Sequence, residues 1–308
     1  MKKVVTHSGN FHTDELLAVA ILRLTFPEPF EIIRSREVEV IQSGDFAIDV
    51  GGIYDPPHGR FDHHQEGGAG KRKNGILYSS FSLVWKEFGG KAIKALAKKH
   101  SVEISEDQTQ DIWNSIDEHL GAPIDAHDVG METVSPVFDG VYPYLAHNVF
   151  SAFHPTWIEE KTYDEAFIEA LQVAIKTLSG EIVHRLAEKK AEEEVLSVYE
   201  KAEDKRLIIL EKKFPWKGIL SRFPEPLFVV EPDLTPSLWK VGAVRDDRHS
   251  FKNRKSFPLT WAGKNGEEFK NLTGVFGAVF CHNARFVAIA KSKEGAIALA
   301  RLAVDSSN

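Results

Sequence analysis

The chain has 308 residues with 38 Lys and Arg against 45 Asp and Glu, a net charge of −7, and 43% of its residues are hydrophobic. This apolar content excludes a disordered chain, the negative charge disfavours nonspecific coating of nucleic acid, and the length predicts two domains. The single Cys281 excludes an internal disulfide and a cysteine-based zinc site. No stretch reaches the ~20 apolar residues of a membrane span, and the chain start lacks the apolar core of a signal peptide. We therefore expect a soluble, cytoplasmic protein.

Strands and helices alternate in the first half of the chain. Short apolar runs predict strands at residues 4–5, 31–34 and 46–50. Helical spacing of apolar residues predicts helices at 14–24, 79–88, 91–99 and 106–120. Such alternation is typical of an α/β domain with a doubly wound, largely parallel sheet.

A long helical segment and a second α/β region follow. Residues 163–205 contain no Pro, and their apolar residues predict one or two long helices between two lobes. Further short strands are predicted at 207–210, 227–230, 239–244, 278–280 and 286–290, and a closing helix at 294–304. The predicted domains are 1–160, a helical connector over 161–205, and a smaller α/β domain over 206–308.

Four segments of the first domain carry side chains that bind metal ions. They are residues 6–15, Asp49, residues 60–65 and residues 124–130. In an open parallel sheet, loops that leave the carboxyl ends of strands converge on one crevice, so distant segments can form one site. Imidazoles and carboxylates without thiolates suit Mn²⁺, Fe²⁺, Co²⁺, Zn²⁺ or Ni²⁺ better than Ca²⁺. Each segment alone also fits a structural role, such as a helix cap or a turn.

The number of candidate ligands indicates two ions. One ion takes three or four such groups, and the four segments together offer about seven. We expect two divalent ions that share a bridging carboxylate, with Mn²⁺ first and Mg²⁺, Fe²⁺, Co²⁺, Ni²⁺ or Zn²⁺ as alternatives. Two-metal sites activate water and clamp the attacking and leaving oxygens of a phosphoryl displacement. The residue types thus predict hydrolysis of a phosphate ester.

The motifs in these segments resemble those of a known family. Asp62-His63-His64 is similar to the signature of the DHH-type metallophosphoesterases. The runs His7-x-Gly9-x-Phe11-His12-x-Asp14-Glu15 and Asp49-Val50-Gly51-Gly52 resemble one branch, the melanocyte-proliferating-gene (MYG) family. Later segments with the same resemblance are Pro155-Thr156-Trp157, Pro215-Trp216-Lys217, His249-Ser250-Phe251 with Arg254, and Phe280-x-His282-x-x-x-Phe286. The resemblance extends over residues 6–304.

The resemblance implies a two-lobe, metal-dependent hydrolase with a dinuclear centre in a DHH-like first domain. Some members of the family act as exonucleases on RNA. Matched residue by residue, the metal ligands would be His7, His12, Asp14, Asp49, His63 and one of Asp125 or Asp128. Asp49 and that last carboxylate would bridge the ions. Asp125 and Asp128 are three residues apart and can face one side of a helix, so both stay open.

Two further site residues are implied beside the ligands. His64 would contact the substrate phosphate or the leaving group, and Asp62 would orient a neighbouring imidazole. His12 stands where the wider superfamily usually has Asp, which removes one negative charge and can shift the metal preference toward softer ions.

The smaller domain is expected to bind the substrate. Basic residues recur over 240–255, and His249 and Ser250 lie among them. Arg and Lys bind phosphate, although an ordinary charged turn has the same composition. With the family resemblance, the expected substrate contacts are His249, Ser250, Arg254, His282 and Lys291. Cys281, in an apolar strand, is expected in the core.

Three functions fit this sequence. The first is a metal-dependent phosphodiesterase or exonuclease that hydrolyses single-stranded RNA, DNA or short oligonucleotides by a two-metal mechanism. The second is a phosphatase for a small nucleotide or polyphosphate. The third is a catalytically weak, metal-containing regulatory protein, which ranks last because every expected ligand position is filled. A homo-oligomer is compatible with all three.

Overall fold

The chain is an α/β protein with two mixed β-sheets, in agreement with the predicted class. The computed structural model describes residues 1–247 and 250–307. Two compact units are present, of which the first is Met1–Leu186 and the second begins at Ala187. This division falls within one long helix. The predicted boundaries at 160 and 205, like the two-lobe, doubly wound arrangement, stay predictions.

The sheet of the first unit is mostly parallel. Its strands are β1 (Lys2–Thr6), β2 (Phe30–Arg34), β3 (Phe46–Ile48), β4 (Tyr54–Asp55) and β5 (Arg60–Phe61). They lie in the order β2-β1-β3-β5-β4, in which β4 is antiparallel to β5 and all other neighbours are parallel. The carboxyl ends of β1, β3 and β5 therefore lie at the same edge of the sheet.

The helices of the first unit differ from the prediction in several places. They are α1 (Thr13–Thr25), α2 (Val38–Ser43), α3 (Ser80–Lys99), α4 (Glu106–Ile116), α5 (Ala122–Asp128) and α6 (Ala146–Ser151), of which α2 and α6 were not predicted. The break predicted between residues 88 and 91 is wrong, because Gly89 and Gly90 continue α3. A Cβ on Gly89 would lie 2.6 Å from the Trp85 ring, so glycine is what allows this indole to pack along the helix.

A π-helical turn separates α4 from α5. The helix predicted over 106–120 ends at Ile116, and the turn Asp117–Gly121 leads directly into α5. The chain thus stays helical up to Asp128, and the π-helical turn sets which side chains of α5 face the sheet edge.

Helix α1 forms the centre of the first core. Residues 13–22 are all buried, so this helix is covered on every side and not only on one face. It packs against α3, whose Trp85 is fully buried. Because α1 begins shortly after the end of β1, its first turn carries Asp14 and Glu15 close to the sheet edge.

The predicted connector is largely one helix. Helix α7 (Tyr163–Lys201) is continuous through Gly180, so one helix replaces the alternative of two. Its apolar side chains from Ala166 to Leu186 belong to the core of the first unit. Further along, Ala191 and Val195 belong to a second apolar cluster.

The second unit contains the other sheet. Its strands are β6 (Leu207–Ile209), β7 (Phe228–Pro232), β8 (Trp239–Ala243), β9 (Ala278–Cys281) and β10 (Val287–Ala290), and its helices are α8 (Lys217–Leu220), α9 (Gly266–Thr273) and α10 (Lys293–Asp305). In the order β6-β7-β8-β10-β9, only β6 and β7 are parallel among the described pairs. Ser292 caps α10, since its Oγ accepts the Gly295 N–H at 3.1 Å. Cys281 is buried, as predicted.

Across the described ranges, no helix has both the length and the apolar character that crossing a membrane requires. The predicted cytoplasmic location stays a prediction.

Candidate metal centre

The site is built on the carboxyl ends of three parallel strands. The register pairs Thr6 of β1 with Ile48 of β3, and Ile48 in turn with Phe61 of β5. The residues that follow these three strand ends are His7, Asp49 and Asp62. Motifs more than forty residues apart in the chain are therefore brought together by the parallel pairing, as the sequence predicted for this type of sheet.

Asp49 lies at the centre of the cluster. Its φ of 58° is in the left-handed region, which Asp tolerates better than most residues and which turns the chain sharply after β3. Asp49 Oδ2 lies 3.3 Å from His7 Nε2, and Oδ1 lies 3.2 Å from His63 Nε2. The Ser80 hydroxyl donates to Oδ1 at 3.0 Å. The Asp49 carboxylate, which follows β3, thus contacts residues from the segments after β1 and β5 and the first residue of α3.

The charges of this cluster depend on one another. Burial would raise the pKa of Asp49, but contacts with His63 and His7 outweigh it and hold the value below the usual range. Burial lowers the pKa of both imidazoles, yet the carboxylates around them raise it to about 10 for His7 and for His63. The positive charges of the protonated imidazoles therefore balance the negative charges of the carboxylates. Metal ions would take over this role, because they bind neutral imidazole and release its proton.

Asp14 adds a second buried carboxylate from the first turn of α1. Its Oδ2 accepts the Ser80 backbone N–H at 3.2 Å, and its Oδ1 forms no hydrogen bond. Burial, together with the neighbouring charges of Asp49 and Asp128, raises the pKa of Asp14 well above its usual range. A cation beside a fully buried carboxyl group stabilises its charged form, so Asp14 is suited to binding a metal ion.

The donor set fits divalent metal ions. Among the candidate ligands, three buried atoms lack a hydrogen-bond partner, namely Asp14 Oδ1, Asp49 Oδ2 and His63 Nε2, although the last two lie at ion-pair distance from other members. Ligand atoms within 4.8 Å of one another form three groups: Asp49 with Asp62, His63 and His64; His7 with His12 and Asp49; and His12 with Asp14 and Asp128. The groups share Asp49 and His12. Imidazole and carboxylate atoms in such clusters can bind transition-metal ions.

His64 is held by Asp62. Asp62 Oδ1 accepts a hydrogen bond from His64 Nδ1 at 2.7 Å, and the same carboxylate accepts the backbone N–H groups of Gly52, His63 and His64. The hydrogen bond to Asp62 raises the pKa of His64. The His64 side chain is 61% exposed, in contrast to the enclosed ring of His63. This pair therefore presents an oriented imidazole to solvent.

The structure separates the two carboxylates that the sequence left open. Asp128 Oδ2 lies 3.1 Å from His63 Nε2 and is grouped with His12 and Asp14. Asp125 lies outside the three groups. Its Oδ2 contacts Arg72 Nε at 2.7 Å, and its Oδ1 accepts hydrogen bonds from the backbone and the hydroxyl of Ser79.

Arg72 explains why Asp125 does not reach the cluster. Its guanidinium also binds both carboxylate oxygens of Asp117, in the π-helical turn, and the Ser82 hydroxyl. The ion pair between Arg72 and Asp125 is enclosed by protein, and every oxygen of Asp125 already has a partner. Such a pair stabilises a particular arrangement of α5 and does not leave ligand atoms free.

Two residues of the site were missed as functional residues. Glu15 Oε2 lies 2.7 Å from His7 Nε2 and accepts the Thr6 hydroxyl at 2.7 Å. Ser80 donates to both Asp14 and Asp49, as described above. Glu15 was visible as part of the motif after His7, whereas Ser80 follows no motif and is recognisable only from its place at the start of α3.

The predicted substrate contacts of the second unit have varied surroundings. His249 lies outside the described residues, as does Arg248. The Ser250 N–H donates to Asp247 and its hydroxyl accepts the Lys252 N–H, which closes a turn. The Arg254 guanidinium donates to the carbonyls of Phe223, Pro226 and Ser221. These hydrogen bonds give Arg254 a structural task in holding the 221–226 loop.

His282 and Lys291 lie elsewhere in the same unit. His282 Nδ1 accepts the Ala284 N–H at 3.0 Å, and its ring lies 4.4 Å from that of Phe286. Lys291 is exposed. Phe286 also lines a cavity of about 250 Å³ whose cationic side chains are Lys217, Lys240 and Arg245.

The fold and the site define a class of protein: an α/β protein whose parallel sheet edge gathers histidine and aspartate side chains able to bind metal. The sequence model MYG1_exonuc, described as "Uncharacterised protein family (UPF0160)", matches residues 3–304. The chain belongs to this MYG1 family, as its motifs predicted.

Relatives match along almost the entire chain. A MYG1 protein of Schizosaccharomyces pombe is 32% identical, over 98% of this chain and 97% of its own length. A MYG1 protein of Dictyostelium discoideum is 30% identical, over 96% and 94% of the two chains. The human relative, named MYG1 exonuclease, is 29% identical over 97% of this chain and 85% of its own length.

Proposed function

We propose that this protein is a metal-dependent exonuclease that hydrolyses phosphodiester bonds of single-stranded nucleic acid at the histidine and aspartate cluster. The observation that carries the proposal is that three buried atoms of the candidate ligands, Asp14 Oδ1, Asp49 Oδ2 and His63 Nε2, form no hydrogen bond. The human and Bos taurus relatives of this chain are named MYG1 exonuclease, which supports this choice of substrate class.

The proposed ligands are drawn from the three groups of adjacent atoms. They are His7, His12, Asp14, Asp49, His63 and Asp128. Because the groups share Asp49 and His12, the set would hold two ions better than one, and Asp49 would be a ligand common to both. Mn²⁺ is the first choice, with Mg²⁺, Fe²⁺, Co²⁺, Ni²⁺ or Zn²⁺ as alternatives. When bound, such ions act as Lewis acids and lower the pKa of the water bound to them, so that hydroxide is available at neutral pH.

The chain's own residues orient the catalytic imidazoles and supply a proton. Glu15 fixes the His7 ring, and Asp62 orients His64 by accepting a hydrogen bond from its Nδ1. A water oxygen attacks phosphorus and releases one proton to solvent, the bond from phosphorus to the leaving oxygen breaks, and His64 Nε2 gives its proton to that leaving oxygen. The raised pKa of His64 keeps this proton in place until it is needed.

We further propose that the second unit binds substrate phosphate. Its cavity of about 250 Å³ is lined by Lys217, Lys240 and Arg245, and among the described residues neither Lys217 nor Arg245 forms an ion pair. Arg254 has its donors on backbone carbonyls and Lys240 pairs with Glu231, so Lys217 and Arg245 are better placed for an anion than Arg254. The roles of His249, Ser250, His282 and Lys291 in substrate binding stay proposals.

The experiment is a length series of end-labelled single-stranded RNA and DNA, incubated with the purified chain and Mn²⁺. We expect stepwise shortening from one end, which Asp49→Asn abolishes. The matched control is Asp55→Asn, since Asp55 is an exposed carboxylate paired with His58. If the oligomers stay intact while a small phosphate ester is cleaved, the exonuclease hypothesis is wrong and the phosphatase hypothesis takes its place. Equal cellular function of wild-type and Asp49→Asn would instead favour the regulatory protein.

A further inference from the structure

A second feature of the first unit lies beside the metal centre. A cavity of about 280 Å³, here the α5–α6 cavity, shares His12, Asp14 and Asp128 with the cluster. Its remaining wall is largely apolar, with Phe11, Leu120, Ile124, Leu145 and Phe150. The cavity therefore has two chemically distinct parts: carboxylates at the proposed metal site, and an apolar part next to them.

Three histidines without an assigned role line the cavity, namely His119, His127 and His147, and the last two stack on each other. His127 of α5 and His147 of α6 have nearly parallel rings, with centroids 3.5 Å apart and an interplanar angle of 11°. Neither belongs to a group of adjacent metal-binding atoms in the described residues. Burial and the neighbouring His127 lower the pKa of His147 below its usual value, so the His147 ring is neutral at pH 7. The pair thus presents a flat aromatic surface.

We propose that the α5–α6 cavity binds the base and ribose of one nucleotide, with the His127–His147 pair stacking on the base and the phosphate at the metal centre. Flat aromatic surfaces bind bases of any sequence, because every base has a π-face. The apolar wall suits the uncharged base and ribose of a nucleotide. The residues that the cavity shares with the metal centre, His12, Asp14 and Asp128, lie where its phosphate would bind.

The volume limits the ligand to a single nucleotide. Sites for drug-sized ligands measure ~300–1,000 Å³, and this cavity lies just below that range. Where the proposed exonuclease activity holds, the cavity takes the terminal nucleotide and makes a mononucleotide the product. The position of the phosphate at the metal centre and the mononucleotide product both rest on the proposed function, whereas stacking of the base does not.

The test compares a nucleotide with its base-free analogue. Binding of AMP and of ribose 5-phosphate to the full chain with Mn²⁺ is measured by calorimetry. We expect the wild-type to bind AMP at least about tenfold more tightly, the effect of one stacked base. His147→Ala and His127→Ala should remove this preference and leave the affinity for ribose 5-phosphate unchanged. His147→Phe, which keeps a flat ring, should retain it, and so should the control His58→Ala, which changes an exposed histidine.

Several results would overturn the proposal. They are equal affinity of the wild-type for both ligands, no binding of either, or an unchanged preference in both alanine variants. A different result would contradict the proposed function alone. If the chain prefers AMP but leaves oligonucleotides intact, the exonuclease activity is wrong and the nucleotide pocket is not. Thermal unfolding of each variant shows whether it is folded, and His147→Phe keeps the test decisive if an alanine variant does not fold.

Discussion

His64 Nδ1 lies 2.7 Å from Asp62 Oδ1, whereas the Nε2 of the adjacent His63 lies 3.2 Å from Asp49. Two consecutive histidines therefore have different environments. The His63 ring is enclosed among carboxylates, and the His64 ring is oriented by one carboxylate and exposed to solvent. This difference supports the proposal that the first binds metal and the second transfers a proton.

Replacement of His64 separates these two roles. We expect His64→Ala to lower turnover by about 10²–10⁴-fold, the usual contribution of a general acid, while the metal content stays the same. The measurements are steady-state hydrolysis of an oligonucleotide and elemental analysis of the purified variant. Loss of metal in His64→Ala would mean that the roles of His63 and His64 are exchanged.

Asp125 and Asp128 should respond differently to the same substitution. We expect Asp128→Asn to lose metal with little change in the stability of the metal-free chain. Asp125→Asn should keep its metal and unfold more easily, by about 3 kcal/mol, because it weakens a buried ion pair with Arg72. Elemental analysis and guanidinium unfolding check both. An Asp125→Asn chain that loses metal at unchanged stability contradicts this assignment.

Cys281 is expected to be unreactive in the folded protein. Burial raises the pKa of its thiol to about 11, so at pH 8 only about 0.1% is thiolate, the reactive form. A disulfide reagent should react with the native chain more than about 100-fold more slowly than with free cysteine. The rate should rise with pH toward 11 and reach that of free cysteine after unfolding. Rapid labelling of the native chain at pH 8 would show that Cys281 is accessible.

The sequence predicted the part of the site that depends on strand order. His7, Asp49 and Asp62 each follow a short apolar run, and parallel strands place such residues at one edge whatever their distance along the chain. The apolar runs also predicted the α/β class and most strands of the second unit. Here local pattern and global fold agree, so little beyond the pattern was needed.

The other parts depend on contacts that no local pattern encodes. Arg72 pairs with Asp125 across fifty-three residues, and the π-helical turn before α5 decides which of its carboxylates turns toward His63. Ser80 reaches Asp14 and Asp49 only because α3 begins beneath the sheet edge. The stacking of His127 on His147 likewise requires α5 and α6 to pack side by side. These are properties of packing, which spacing along the chain does not reveal.

Metal binding by the cluster tests the central claim most directly. Wild-type, Asp49→Asn and the control Asp55→Asn are saturated with Mn²⁺, freed of unbound ion and analysed for metal per chain. We predict about two ions for the wild-type and for Asp55→Asn, and a loss of bound metal in Asp49→Asn, because Asp49 links the proposed ligands. A wild-type chain without metal, or equal metal in wild-type and Asp49→Asn, would contradict the account.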